Sequence, residues 1–169
     1  MRFSTKTRYG IRAILEIALN DRKKGIYQKD IAKNQEISYK YLDQIINSLK
    51  VAGLVKKAGG RKSGYILTRD PSEISVYDVH RAFEPCICVV DCLRENNICD
   101  KEDQCALRGF WGKLNSQVVD YFKATNIRDL LDEQLKLDNL NGTKHVLGDS
   151  EKIKEKAKRP VNGLNPLPG

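Results

Sequence analysis

The order of hydrophobic periods in the first 67 residues constrains this chain most. Ile11, Ile14, Leu15 and Ala18 fall at i, i+3, i+4 and i+7, one face of a helix over residues 4–21, with Ser4 or Thr5 as N-cap. Gly25 breaks that helix, and Gln28 to Asn34 form a short second one that buries Ile31 and Ala32. After a turn through Glu36 and Ile37, Ser38 caps a third helix that runs to about Val51. Leu42, Ile45, Ile46 and Leu49 face inward on it, and Tyr39, Lys40, Asp43 and Gln44 face outward. Gly53 stops it. Two short apolar runs, Leu54-Val55 and Tyr65-Ile66-Leu67, then flank Gly59, Gly60, Arg61, Lys62, Ser63 and Gly64, which is turn chemistry for a hairpin with a basic tip. Three helices closed by a basic hairpin describe a winged helix-turn-helix. Its third helix enters the major groove and its hairpin touches phosphates or the minor groove. A three-helix module that binds protein is the alternative.

The charge distribution agrees with the element order. Residues 1–69 carry 16 Lys/Arg against 5 Asp/Glu, whereas residues 70–169 carry 14 against 17. A positive field concentrated in one half suits a polyanion such as DNA, although charge alone also fits a merely solvated face. With 169 residues and 40% hydrophobic content, the chain can build one core plus an extension. No stretch approaches the roughly 18 to 20 consecutive apolar residues of a bilayer span. The opening MRFSTKTRYGIRAILEIAL scatters basic residues among its apolar ones and does not read as a secretory signal, so a cytoplasmic location is expected.

Beyond the hairpin, Ser75 and Asp78 form a capping-box variant, with Ile74 stapling onto Val79. His80 reads as a surface residue of that helix. Over residues 106–124, Leu107, Phe110, Trp111, Leu114, Val118, Tyr121 and Phe122 make an apolar stripe. It is expected to be a dimer surface, with packing against the first helix as the alternative. Thr125 can cap a last helix that turns Ile127, Leu130, Leu131 and Leu135 inward. The expected organisation is a winged helix-turn-helix domain over 1–83, a cysteine-rich loop over 84–105, a dimerisation helix and a C-terminal helix over 106–140, and a disordered tail over 141–169. The fold class is mainly α with a small β-hairpin wing.

All five cysteines, Cys86, Cys88, Cys92, Cys99 and Cys105, fall within 20 residues. In a cytoplasmic chain such a cluster favours metal or redox chemistry over disulfides. The spacing Cys92-x6-Cys99-x5-Cys105 offers three thiolates from an irregular loop, and soft thiolates select iron–sulfur clusters, zinc or Cu(I). The paired C-x2-C knuckles of structural zinc are absent, which shifts weight toward an iron–sulfur cluster, with zinc and reactive or idle thiols as the other readings.

The opening segment, DIAKNQEISYKYLDQIINSLKVAGLVKKAGG, SGYILTRDPSEISVYDVHRAFE and three cysteines ahead of a Trp-bearing helix resemble the IscR-type winged-helix regulators over about residues 1–135. Members include IscR, NsrR, RirA and the cluster-free CymR. The resemblance implies a homodimeric regulator of transcription that binds a pseudo-palindromic DNA operator. It further implies a [2Fe-2S] or [4Fe-4S] cluster on Cys92, Cys99 and Cys105, with one more residue between the first two than is commonest. Ser38, Lys40, Tyr41, Asp43 and Gln44 match the recognition-helix positions, and Tyr39 stands among them. Lys40, Lys56, Lys57, Arg61 and Lys62 are the expected phosphate or wing contacts. The wing departs from the usual RGPGGGY: it reads GGRKSGY, with Gly59 where members that enter the minor groove have an Arg.

The fourth cluster ligand also departs. Arg108 stands where IscR has His, and Arg8 stands where other members offer an acidic residue, and a guanidinium cannot ligate a metal. Cys88 is the first alternative and Cys86 the second, ahead of Glu102 and Asp103. Enzymatic chemistry is not expected: there is no Ser/His/Asp set and no phosphate-cradling Gly motif, and only His80 and His145 supply imidazoles. Two functions remain. One is a dimeric regulator that senses cluster status, nitric oxide or redox state. The other is a cluster-free thiol or zinc-stabilised regulator that acts through protein partners, as CymR-like members do.

Overall fold

In a computed structural model, residues 3–20, 23–59, 63–94 and 104–141 are described. The tail over 142–169, with His145, and Arg61, Lys62, Cys99, Glu102 and Asp103 lie outside them. The elements follow in the order α1 (Thr5–Ala18), α2 (Gln28–Asn34), α3 (Tyr39–Val51), β1 (Val55–Lys57), β2 (Tyr65–Leu67), α4 (Val76–Arg81), α5 (Ala106–Ala124) and α6 (Ile127–Asn141). The chain is mainly helical with one antiparallel hairpin, as the periodicity predicts.

Local chemistry sets each boundary. Ser4 starts α1 by accepting the Thr7 N–H, and Ser38 starts α3 by accepting the Tyr41 N–H. Gly53, at φ +70°, supplies the left-handed residue that ends α3 and turns the chain into β1. The Ser75 hydroxyl and Asp78 carboxylate cap each other's backbone N–H at 3.0 Å, opening α4 as a reciprocal box. Ile74 and Val79 beside it are both fully buried.

The start of α6 differs from the sequence expectation. Asn126, not Thr125, is its cap, through a reciprocal pair with Asp129 at 2.9 and 3.0 Å. Thr125 is already used as the C-cap of α5: its N–H bonds Tyr121 and its carbonyl accepts the Val76 N–H. The Ile127 N–H bonds the Ile74 carbonyl, so the α5–α6 corner is stitched to the chain entering α4.

The core gathers Ala13, Ile14 and Ile17 of α1, Ile31 of α2, Leu42, Ile45, Ile46 and Leu49 of α3, Leu54, Val55 and Tyr65 of the hairpin, and Ile127 of α6. Burying each large aliphatic contributes about 1.5–3 kcal/mol. The last helix, read from the sequence beside the dimerisation helix, therefore closes the same core as the first. In the hairpin Val55 pairs with Leu67 and Lys57 with Tyr65, and Ile26 bridges to Tyr65 as a third segment. Gly64 permits that bridge, because a Cβ there would sit 2.5 Å from backbone atoms of Gly25 and Ile26. Gly64→Ala should therefore push the chain before α2 off the wing and destabilise the protein by about 1–3 kcal/mol. Urea unfolding checks this, and an unchanged midpoint would contradict the close approach.

Candidate nucleic-acid interface and cysteine-bearing loop

With Leu42, Ile45, Ile46 and Leu49 buried, the opposite side of α3 is open. Ser38, Tyr39, Lys40, Asp43 and Gln44 are all exposed there, and Lys56 and Lys57 are exposed on β1. Tyr41 differs: it is half-buried, its ring edge-on to Tyr9 at 5.8 Å, so it braces α3 against α1. Two side chains with no signal in the hydrophobic pattern position this face. Gln28, in the first turn of α2, is buried and donates from Nε2 to Asp43 Oδ1 at 3.1 Å, which fixes the orientation of the carboxylate. Burial, and then the Asp43 charge, push the Tyr65 phenol above its ordinary value.

The second is Glu16, 1% exposed on α1. Its two oxygens accept from Asn34 Nδ2 and Gln35 Nε2, both at 2.7 Å. Arg12 closes the other side, donating to Gln35 Oε1 at 2.9 Å and to the Gln35 carbonyl at 2.6 Å. The buried carboxyl group is thus held by hydrogen bonds, as burial requires. It fixes the turn ahead of α3, where Glu36 adopts φ +53°.

After α4 the chain lies along α5. The Val89 N–H bonds Asn115 Oδ1 at 2.8 Å. Arg108 Nη1 donates to the Cys92 carbonyl at 3.2 Å, while the Arg108 N–H bonds the carbonyl of Cys105, the N-cap of α5. Cys92 and Cys105 are thereby tied to the same end of α5. The Arg108 side chain and backbone N–H thus both serve main-chain carbonyls. Cys88 Sγ lies 3.1 Å from Cys86 Sγ and 3.9 Å from the Leu93 carbonyl. Burial, then the hydrogen bond and charge of Cys86, push the Cys88 thiol up to about 11. A cavity of about 260 Å³ opens here, lined by Phe3, His80, Glu84, Cys86, Cys88 and Arg94 among others. Among the described residues no three of His, Cys, Asp and Glu are grouped to hold a metal ion. The thiol chemistry of Cys92 and Cys105 suits a soft metal centre, and the third thiol, Cys99, lies outside the described residues.

His80 is not a surface residue: it is 1% exposed. α4 is packed on both α1 and α5, so two of its sides are covered. His80 meets the rings of Phe3 and Phe122 edge-on, each at 6.0 Å, and among the described residues its buried Nδ1 has no hydrogen-bond partner. Beside it Glu84 Oε1 accepts from Thr7 Oγ1 at 2.5 Å. Burial works against the Glu84 charge, but the bonds from Thr7 and Ser4 outweigh it and hold the carboxyl below its usual range.

The apolar stripe of α5 divides. Phe122 stacks on Phe3 within the chain at 5.0 Å. Trp111, Leu114 and Val118 are half-buried, and Leu107, Phe110 and Tyr121 stand 62%, 57% and 58% exposed. No residue of α5 is fully buried. None of the described helices is long and apolar enough to cross a membrane.

An exposed α3 face beside a two-stranded hairpin is the architecture of a winged helix-turn-helix. The chain belongs to the Rrf2 family, described as an iron-dependent transcriptional regulator, which matches residues 3–133. It is 34% identical to the protein rrf2 of Nitratidesulfovibrio vulgaris over 131 residues, 78% of this chain and 87% of that one. Among solved structures it resembles CymR (YrzC), the global cysteine regulator of B. subtilis, with a TM-score of 0.68 and 30% identity over 79% of this chain and 98% of that one. T. potens IscR follows with a TM-score of 0.65 and 28% identity, covering 81% and 90%. Regulators of this family bind DNA.

Burial holds the His80 imidazole below its usual 6.5. The unfolded chain then binds a proton that the folded chain refuses. Stability is full above about pH 6.5 and falls as pH drops below it, by at most about 1.4 kcal/mol per unit. Urea midpoints measured between pH 7.5 and 5 should show this slope, and His80→Leu should flatten it. An equal slope in the variant would contradict the assignment.

Proposed function

We propose that this protein is a dimeric, DNA-binding transcription regulator that senses iron–sulfur status, nitric oxide or redox state through a cluster on Cys92, Cys99 and Cys105. The observation that carries this reading is the tethering of Cys92 and Cys105 to one end of α5 through Arg108, next to the α4 edge of the winged-helix body. Soft thiolates select such clusters, which supply one-electron chemistry and sensitivity to oxidants and nitric oxide. The exposed Leu107, Phe110 and Tyr121, with Trp111, Leu114 and Val118 beside them, form the dimer surface. Phe122 serves it by bracing α5 on Phe3.

On DNA, the α3 face reads bases through Asp43 and Gln44, Ser38, Tyr39, Lys40, Lys56 and Lys57 with Arg61 and Lys62 of the wing contact the DNA backbone, and Tyr41 supports that face from beneath. Two-fold symmetry implies half-sites spaced by whole helical turns. The likeness to CymR favours a second reading, a cluster-free thiol or zinc-stabilised regulator that works through protein partners.

An anaerobic absorbance spectrum with iron and sulfide assay separates the two. The first reading expects a brown protein with comparable iron and sulfide, bleached by replacing any of the three cysteines. A colourless, iron-free anaerobic preparation overturns it, and zinc or free thiols would favour the second.

For the DNA face, Lys57→Ala should weaken binding to all sequences alike and lower the salt slope by about one. Asp43→Ala should instead change the preferred sequence by about 1–3 kcal/mol per misread base pair. Gln28→Ala should move preference at that same base pair and add nothing in the Asp43→Ala background. Selection from a randomised operator reads both effects, and an unaltered preference in Asp43→Ala would rule out this orientation of α3.

A further inference from the structure

Cys86 and Cys88 are open to two roles, and the geometry favours the one in which they act on each other. Their sulfurs lie 3.1 Å apart, inside the contact distance of two non-bonded sulfurs. Ile87 between them is buried, which pins the segment and fixes their approach. Cys86 is exposed and Cys88 is half-buried behind it, both on the rim of the same cavity. Cys86, Cys88, Cys92 and Cys105 are all described, yet no three of them gather into a metal-holding group.

We propose that Cys86 and Cys88 are a redox-active dithiol that closes to an intramolecular disulfide by exchange with low-molecular-weight disulfides. The exposed Cys86 sulfur, as thiolate, attacks one sulfur of the small disulfide, and the other leaves as a thiolate. Cys88 then passes its proton to the released thiolate and displaces the remaining half from Cys86 as a second thiolate, forming the Cys86–Cys88 bond. Two protein thiols are oxidised and one small disulfide is reduced to two thiols, so the electrons balance. A bond spanning a single intervening residue closes a small, strained ring. Strained disulfides have the more oxidising potentials and reopen readily, which suits a reversible sensor better than a staple. Closure would shorten the segment that leads from α4 to Cys92, so the loop holds two separate thiol chemistries.

The test uses the full-length protein prepared without oxygen, equilibrated across mixtures of reduced and oxidised glutathione, quenched in acid and alkylated. Mass spectrometry of the peptide containing both residues should show both thiols alkylated at the reducing end and neither at the oxidising end. Cys88→Ser should accumulate a glutathione adduct on Cys86, because the resolving thiol is gone. Cys86→Ser and Cys88→Ser should keep the iron content and colour of the parent. The proposal is overturned if both thiols stay alkylatable throughout, if either pairs with Cys92, Cys99 or Cys105, or if either variant loses iron and so proves a ligand. Absence of iron from the parent protein would defeat the cluster reading, while the peptide titration still decides the dithiol.

Discussion

The fold depends on burying one stripe of α3. Leu42, Ile45, Ile46 and Leu49 have no route out of water except against α1, α2 and the strands, and that packing turns Asp43 and Gln44 outward. α1 is the hub of the arrangement, since α2, α3, α4, α6 and β2 all pack on it. One end of α1 holds Glu84 through Thr7, and further along Arg12 and Glu16 hold the turn ahead of α3. The helix that organises the core therefore also links the edge of the cysteine-bearing loop to the base of the recognition helix.

α5 stands apart from that core. It leans on α4 and on the turn at Asp91–Leu93, none of its residues is fully buried, and large aromatic side chains remain in water. A helix of 19 residues left in this state spends part of its apolar surface on nothing among the described residues. Its position at the junction of the winged-helix body and the cysteine-bearing loop means that any surface covering it would meet both.

Much of the fold was legible because local rules and the core agreed. Ser4, Ser38 and Ser75 cap their helices as the pattern predicts, and residues 106–124 form a helix with those bounds. The start of α6 was less legible: Thr125 and Asn126 are both N-cap residue types, Asn the stronger of the two. The choice went to Asn126 because the Thr125 backbone was already committed to ending α5 and to receiving Val76. His80 departs from its expected surface position for a related reason. A helix of six residues is too short for periodicity to show that two of its sides are covered, and only the packing of α1 and α5 against α4 buries the imidazole. Gln28 and Glu16 were invisible as site residues because a polar side chain announces itself in sequence only when it recurs or caps, and these bond across 15 to 19 positions.

By itself the sequence determined the element order, the basic half that faces a polyanion and the crowding of thiols into one loop, because periodicity, net charge and spacing are properties of neighbours along the chain. The tertiary structure decided which polar groups act together: Gln28 with Asp43, Glu16 with Asn34 and Gln35, Cys86 with Cys88, and Arg108 with the carbonyls of Cys92 and Cys105. Those pairings depend on angstrom-scale approach between separately folded segments. Burial in a shared core sets that approach, and no local pattern encodes it.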